Sequence, residues 1–156
     1  MKAYVGLGAN LGDRRANIAA ALEMLRARGV RPGKVSGLIE TLAIGGPPGQ
    51  PNYLNGAAEV ETDLDAAALL AVLLDVESAL GRRRREGEKD APRPIDLDLL
   101  FYGAEAIAVP GLTVPHPRLH KRMFVLAPLC EIASDLVHPV LGKTVAELAE
   151  DLAESK

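Results

Sequence analysis

Apolar and polar residues change their spacing several times along this chain, and each change marks an element. Residues 2–8, "KAYVGLG", read as a first strand. Residues 10–29 then carry Ile18, Leu22 and Leu25 on one helical stripe, with Asn10 or Asp13 as N-cap and Gly29 as the stop. A second strand is expected over 34–44 and a third over 53–62, "YLNGAAEVET". Between them residues 43–52 hold three Gly and three Pro and read as a long loop. Asp63 is expected to cap a helix from about Leu64 to Leu80, with Leu70, Leu73, Leu74 and Leu80 on its stripe. A charged loop over 81–93 leads to a fourth strand, "IDLDLLFYG". The remainder predicts a short apolar helix over 124–133 and a last helix over 144–154 capped by Thr144.

The order β-α-β-β-α-β predicts an α+β fold, a ferredoxin-like antiparallel sheet with helices packed mainly on one face. No linker divides the chain, so residues 1–156 are expected to form one domain. Two stretches imitate nucleotide motifs without their spacing. The glycines of "GLGANLG" stand at 6, 8 and 12, one residue off the dinucleotide fingerprint, and "VHPVLGKT" has Val137 where a P-loop needs glycine.

Composition narrows the function classes. A hydrophobic content of 48% with 25% charged residues is that of an ordinary globular chain. A net charge of -3 gives no general attraction to nucleic acid or anionic membrane. The longest apolar run, residues 66–74, is far short of a membrane span. Cys130 is the only cysteine and reads as a small hydrophobe within "LAPLCEIA". A cytoplasmic enzyme or binding domain fits, expected to be a monomer that takes small molecules, with no nucleic-acid or membrane partner.

The fourth strand poses the chemical question. Strict alternation puts Ile95, Leu97, Leu99 and Phe101 on one side and Asp96, Asp98, Leu100 and Tyr102 on the other. Two carboxylates about 7 Å apart on one face repel, and nothing in the strand compensates. Hard oxygen ligands in so small a number suit Mg²⁺, which keeps waters and takes phosphate oxygens for the rest. The preceding loop, "GRRRREGEKDAPR", concentrates six of the 18 basic residues: Arg82, Arg83, Arg84, Arg85, Lys89 and Arg93. Guanidinium forks match phosphate oxygens, so metal and arginines together suggest a polyphosphate ligand under a candidate lid. Glu77 falls on the side of its helix that should be buried, or at the edge of it. Tyr53 and Asn55 share a strand face opposite Leu54, where an aromatic ring can stack on a flat ligand and an amide can read its donors and acceptors. Phe124 offers a second stacking face or core packing. His116, between prolines, and Arg122 suit a phosphate contact.

Taken together, "VGLGANLGD", "QPNYLN", "ESALGRRR", "PRPIDLDLLFYG" and "LTVPHPRLHKRMFVLAPL" resemble, in order and over nearly the whole chain, the 6-hydroxymethyl-7,8-dihydropterin pyrophosphokinase family of folate biosynthesis. The resemblance implies transfer of the β,γ-pyrophosphoryl group of ATP to the pterin hydroxymethyl oxygen, with release of AMP. It implies two Mg²⁺ ions on Asp96 and Asp98, with Arg82 and Arg93 joining these aspartates in catalysis. It implies ATP contacts from Glu77, Arg82, Arg84, Arg93, Leu99, Thr113, His116 and Arg122, and pterin contacts from Thr41, Leu42, Ile44, Tyr53, Asn55 and Phe124.

The chain departs from the family pattern in three places. Leu42 and Ala43 replace a common Pro-Pro and a slightly longer loop follows, Asp90 and Ala91 replace a common Trp-Gly in the lid, and Leu74 replaces a polar residue that some members place near the adenosine. An RNA-binding module would need exposed strand aromatics and a basic sheet face, where this chain has five aromatics in all and carboxylates. A sugar-nucleotide transferase would need a nucleotide domain for which the chain is too short.

Overall fold

The computed structural model describes residues 1–42, 52–81 and 94–155. The expected proline-rich loop, Ile44, and the arginines from Arg82 to Arg93 with Asp90 therefore lie outside the described residues.

Strand β1 (Lys2–Ala9) leads into helix α1 (Arg14–Ala27), whose N-cap is Asp13: its carboxylate accepts the Ala16 N–H at 3.1 Å. Gly29, at a φ of 82°, closes the helix. The expected second strand is two strands. β2 (Val30–Val35) starts directly after the helix and β3 (Ile39–Thr41) follows a break at 36–38. Ser36 causes the break by turning its hydroxyl to accept the Ala57 N–H at 2.9 Å. β4 (Tyr53–Thr62) is the expected third strand.

Helix α2 (Ala66–Ala79) is capped by Asp65 rather than Asp63. Thr62 is the reason: its hydroxyl accepts the Leu64 N–H and donates to the Gly29 carbonyl, which holds 62–64 in a turn. The buried side of α2 is accordingly Leu69, Leu73 and Val76, one position round from the expected stripe, though it does include Glu77. The chain continues through β5 (Asp96–Tyr102), a small hairpin of β6 (Ile107–Val109) and β7 (Leu112–Val114), helix α3 (Met123–Ala133) and helix α4 (Val145–Glu154). Thr144 caps α4 in a reciprocal pair with Glu147.

The main sheet runs β2–β4–β1–β5, with β3 also on β4, and every pairing is antiparallel. This α+β architecture is compatible with the ferredoxin-like arrangement, and the antiparallel neighbours of β1 leave no dinucleotide-type crossover. The expectation of helices mainly on one face holds for α1 and α2 alone. Their residues join Ala3, Val5, Leu7, Val60, Leu97 and Leu99 in one apolar cluster. α3 and α4 cover part of the opposite face and form a second cluster with Tyr4, Ala57, Leu100 and Phe101. Strict alternation in β5 also fails after Leu99. Val5 pairs with Leu99 but Tyr4 with Phe101, so Leu100 is an extra, bulged residue. The bulge puts Phe101 on the aspartate side and Tyr102 on the other, the reverse of the expected assignment.

Candidate active site

The open half of the second face is laid out in rows across three strands. Asn55, Gly8 and Asp96 form one row; Ala57, Gly6 and Asp98 form the next; Glu59, Tyr4 and Phe101 form a third. The third row lies under helix, with Tyr4 and Phe101 packed edge to face at 6.3 Å. The first two rows leave a floor without side chains at their centre. A Cβ on Gly8 would come within 3.1 Å of Asn55 Oδ1, and one on Gly6 would touch Leu100 and the Asp98 Cβ. Glycine at 6 and 8 thus keeps the space between the amide and the carboxylates clear.

Two cavities meet over this floor. The first, about 530 Å³, runs from Leu70, Leu74 and Glu77 of α2 past Asp96–Leu99 to Gly111–Thr113, His116–Arg118 and Arg122. The second, about 470 Å³, is lined by Gly6–Gly8, Thr41, Leu42, Tyr53, Asn55, Gly56, Phe124 and Val125. Asp96, Asp98 and Arg122 line both.

The expected nucleotide residues Glu77, Asp96, Asp98, Leu99, Thr113, His116 and Arg122 therefore converge on one cavity, and Thr41, Leu42, Tyr53, Asn55 and Phe124 on its neighbour. Arg82, Arg84, Arg93 and Ile44 are not among the described residues. Sequence reasoning missed Leu70, Leu112, Pro117, Arg118 and the glycine floor. The signal for the floor was present: Gly6 and Gly8 alternate on one face of a strand that otherwise carries Val5 and Leu7.

Each polar group has an identifiable setting. Asn55 is buried, and its amide Nδ2 donates to Thr41 Oγ1 at 2.6 Å. Arg14 links β3 to the residue before β4, donating to the Glu40 carboxylate and to the Asn52 carbonyl. Glu77 is buried and its Oε2 accepts the Leu97 N–H at 2.8 Å. His116 enters the site because its backbone N–H donates to the Leu100 carbonyl at 2.9 Å, fastening the 115–118 turn along β5. Burial, and then the positive charges of Arg122 and Arg118, hold the His116 imidazole below its ordinary pKa, while Asp96 opposes them. Its Nδ1 accepts the Arg118 N–H at 3.2 Å, which leaves the proton of the neutral ring on Nε2 as a donor. The Arg122 guanidinium lies 5.7 Å from the centre of the Phe124 ring, itself 38% exposed and available to a flat ligand. Cys130 is half-buried against the second cluster, and burial pushes its thiol up.

The donor set of Asp96 and Asp98 fits a hard divalent cation: two carboxylates on one strand face, beside Gly8 and Gly6 of β1. Among the described residues no group of three or more His, Cys, Asp or Glu side chains forms a fully protein-made metal cage. Two protein ligands leave the remaining positions of such an ion to water and phosphate.

Comparison with known proteins identifies the family. Residues 4–134 match the family described as 7,8-dihydro-6-hydroxymethylpterin-pyrophosphokinase (HPPK). The chain is 41% identical over 151 residues to a 2-amino-4-hydroxy-6-hydroxymethyldihydropteridine pyrophosphokinase of Synechocystis sp., covering 96% of this chain and 75% of that protein. It is 41% identical over 155 residues to a protein of the same name from Methylorubrum extorquens, covering 99% of this chain and 95% of that one. Among solved structures, the Plasmodium falciparum HPPK-DHPS with pteroate superposes with a TM-score of 0.77 at 14% identity, over 98% of this chain and 44% of that one. That likeness speaks for the fold, and this chain spans less than half of that larger protein. By its sequence, the chain belongs to the 7,8-dihydro-6-hydroxymethylpterin-pyrophosphokinase family.

Proposed function

We propose that the larger cavity takes ATP, that the second takes the pterin, and that Asp96 and Asp98 hold Mg²⁺ where the two meet. The reaction itself is the family's: the β,γ-pyrophosphoryl group of ATP passes to the hydroxymethyl oxygen of 6-hydroxymethyl-7,8-dihydropterin in folate synthesis, and AMP is released. The bond from that oxygen to the β-phosphorus forms as the bridge between the α- and β-phosphates breaks. The observation that carries the residue assignment is the shared wall: two cavities of ligand size have Asp96, Asp98 and Arg122 in common.

The described side chains then have separable tasks. Asn55, held by Thr41, reads the edge of the pterin, and Tyr53 and Phe124 offer its stacking faces. Leu70, Leu74 and Leu112 give the base of the nucleotide an apolar wall. His116, neutral with its proton on Nε2, donates to a phosphate oxygen, and Arg122 sets a full positive charge beside the transferred group. Mg²⁺ on the aspartates would supply the neutralisation that lets a triphosphate lie against two carboxylates. Phosphoryl transfer asks little bond-making of the protein, so positioning and charge are its main contributions.

The roles of Arg82, Arg84 and Arg93 on the triphosphate, and of Ile44 on the pterin, rest on sequence resemblance alone. The same reading takes residues 1–156 as a single pyrophosphokinase domain that works as a monomer, since one chain's own residues line both cavities. Cytoplasmic placement goes with ATP as co-substrate.

The test is an assay with ATP, Mg²⁺ and the reduced pterin, following nucleotide products, beside calorimetry on Phe124→Ala and His116→Ala. AMP formed only when pterin is present is expected. Phe124→Ala should lose pterin affinity and keep ATP affinity, and His116→Ala the reverse. Equal losses of both ligands in both variants would break the two-cavity assignment.

A further inference from the structure

Glu77 lies near the C-terminal end of α2, is 3% exposed, and gives its Oε2 to the backbone N–H of Leu97. Leu97 is the residue between Asp96 and Asp98. We infer that Glu77 is a positioning residue for the reaction: it fixes the Leu97 peptide and so sets the aim of both aspartates towards their divalent cation. This rests on the reading that Asp96 and Asp98 hold that cation.

Three holds on Leu97 support the inference. Its side chain is 4% exposed and anchored in the first cluster. β1 pairs it on one side, with Leu7 as its partner in register. Among the described residues β5 is the last strand of the sheet, and on its other side Glu77 reaches across from α2. The ladder neighbours of the two aspartates on β1 are Gly8 and Gly6, so their direction follows the backbone of 96–98. A small rotation of the 96–98 backbone would turn both carboxylates in the same sense, away from a common ion.

The choice of residue type fits the task. A buried carboxylate is costly unless it is well bonded, and a leucine would fill the position with less cost. Only an acceptor of this length at 77 satisfies the Leu97 N–H, and a charged acceptor makes the stronger bond.

Two substitutions separate length from charge. Glu77→Gln keeps an acceptor at the same reach without the charge. Glu77→Asp keeps the charge and withdraws it by one methylene. The readouts are Mn²⁺ affinity, measured by paramagnetic resonance in the presence of α,β-methylene-ATP, whose α–β bridge does not break, and exchange of the Leu97 amide proton in the ligand-free protein.

Glu77→Gln is expected to hold Mn²⁺ within about threefold of the original chain and to keep the Leu97 amide protected, whereas Glu77→Asp loses tenfold to about a hundredfold in Mn²⁺ affinity and exposes that amide. Loss of Mn²⁺ by Glu77→Gln as severe as by Glu77→Asp would show that the charge acts directly and would overturn the inference. So would full Mn²⁺ binding by Glu77→Asp. If Glu77→Asp does not fold, Glu77→Met, which keeps the reach and removes the oxygen acceptor, takes its place: loss of Mn²⁺ affinity and of Leu97 amide protection upholds positioning, and full Mn²⁺ binding overturns it. Asp96→Asn is measured alongside. Undiminished Mn²⁺ binding there defeats the metal reading itself, while loss there together with loss in Glu77→Gln defeats only the role given to Glu77.

Discussion

On one face of the central strand, Ala3, Val5 and Leu7 meet α1 and α2 and are each no more than 2% exposed. On the other face the alternate positions are Tyr4, Gly6 and Gly8, and of these only Tyr4 lies under a helix. The first face is continuous hydrocarbon from end to end. The second is packed under helix around Tyr4, Phe101, Ala57 and Leu100, and carries no side chain at Gly6 and Gly8, beside the aspartates and Asn55. The same strands thus carry stability on one side and chemistry on the other. What separates the two is the absence of two side chains rather than the presence of any special one. A core tolerates few empty positions, because each loses its packing partners. A binding floor requires them.

This contrast is open to direct attack. The largest effect is expected from Asp96→Asn, on the bare face: turnover should fall ~10³-fold or more. The variant should keep its fold, read by far-ultraviolet circular dichroism, because the exchange is isosteric. Turnover within tenfold of the original chain would refute the metal role. On the covered face the pattern should invert. Leu25→Ala, at a fully buried α1 position, is expected to cost about 2–5 kcal/mol in denaturant unfolding and to leave the kcat of the folded fraction unchanged.

Gly8→Val sharpens the comparison further. The strand accepts valine, but its side chain enters the floor against Asn55, so pterin affinity should drop about tenfold with ATP affinity preserved. A loss of stability in place of affinity would mean that the floor is packed core.

The smallest effect concerns acid. His138 is buried against Phe101 in the second cluster, and its Nδ1 accepts the N–H groups of Val140 and Leu141. Burial, and then His120, depress its pKa below the ordinary 6.5. The unfolded chain therefore binds this proton more readily than the folded one. The stability that depends on the neutral ring is complete above about 6.5 and is lost as pH falls through the folded value. His116 acts with the same sign. Thermal unfolding followed from pH 7.5 to pH 5 should show this decline, and His138→Gln should flatten it.

Much of this was legible in the chain because local chemistry and tertiary structure agree there. Gly29, Thr144, the period of α1 and the pairing of Tyr53 with Asn55 opposite Leu54 all follow from rules acting over a few residues. The errors came where a distant partner decides. Asp65 displaces Asp63 as a cap because Thr62 is engaged with Gly29, more than thirty residues away in sequence. The bulge at Leu100 has no mark in "DLDLLFYG", since it exists only relative to β1. The site residues were readable as a set because they match a family, but the convergence of Asp96, Asp98 and Arg122 on two cavities is a property of the fold. Helix α3 covers the second face because "FVLAPL" is apolar all round, which periodicity alone cannot orient.

The position of β5 has a consequence of another kind. Among the described residues it is the end strand of the sheet, and an end strand presents backbone groups on which another extended chain can build. Here the N–H of Leu97 is taken by Glu77 and the carbonyl of Leu100 by the N–H of His116. The contacts that shape the site also occupy two of the groups that could template a foreign strand. Damage to them would therefore leave a mark beyond the reaction: a folded protein whose edge is open, and whose tendency to self-associate rises with concentration.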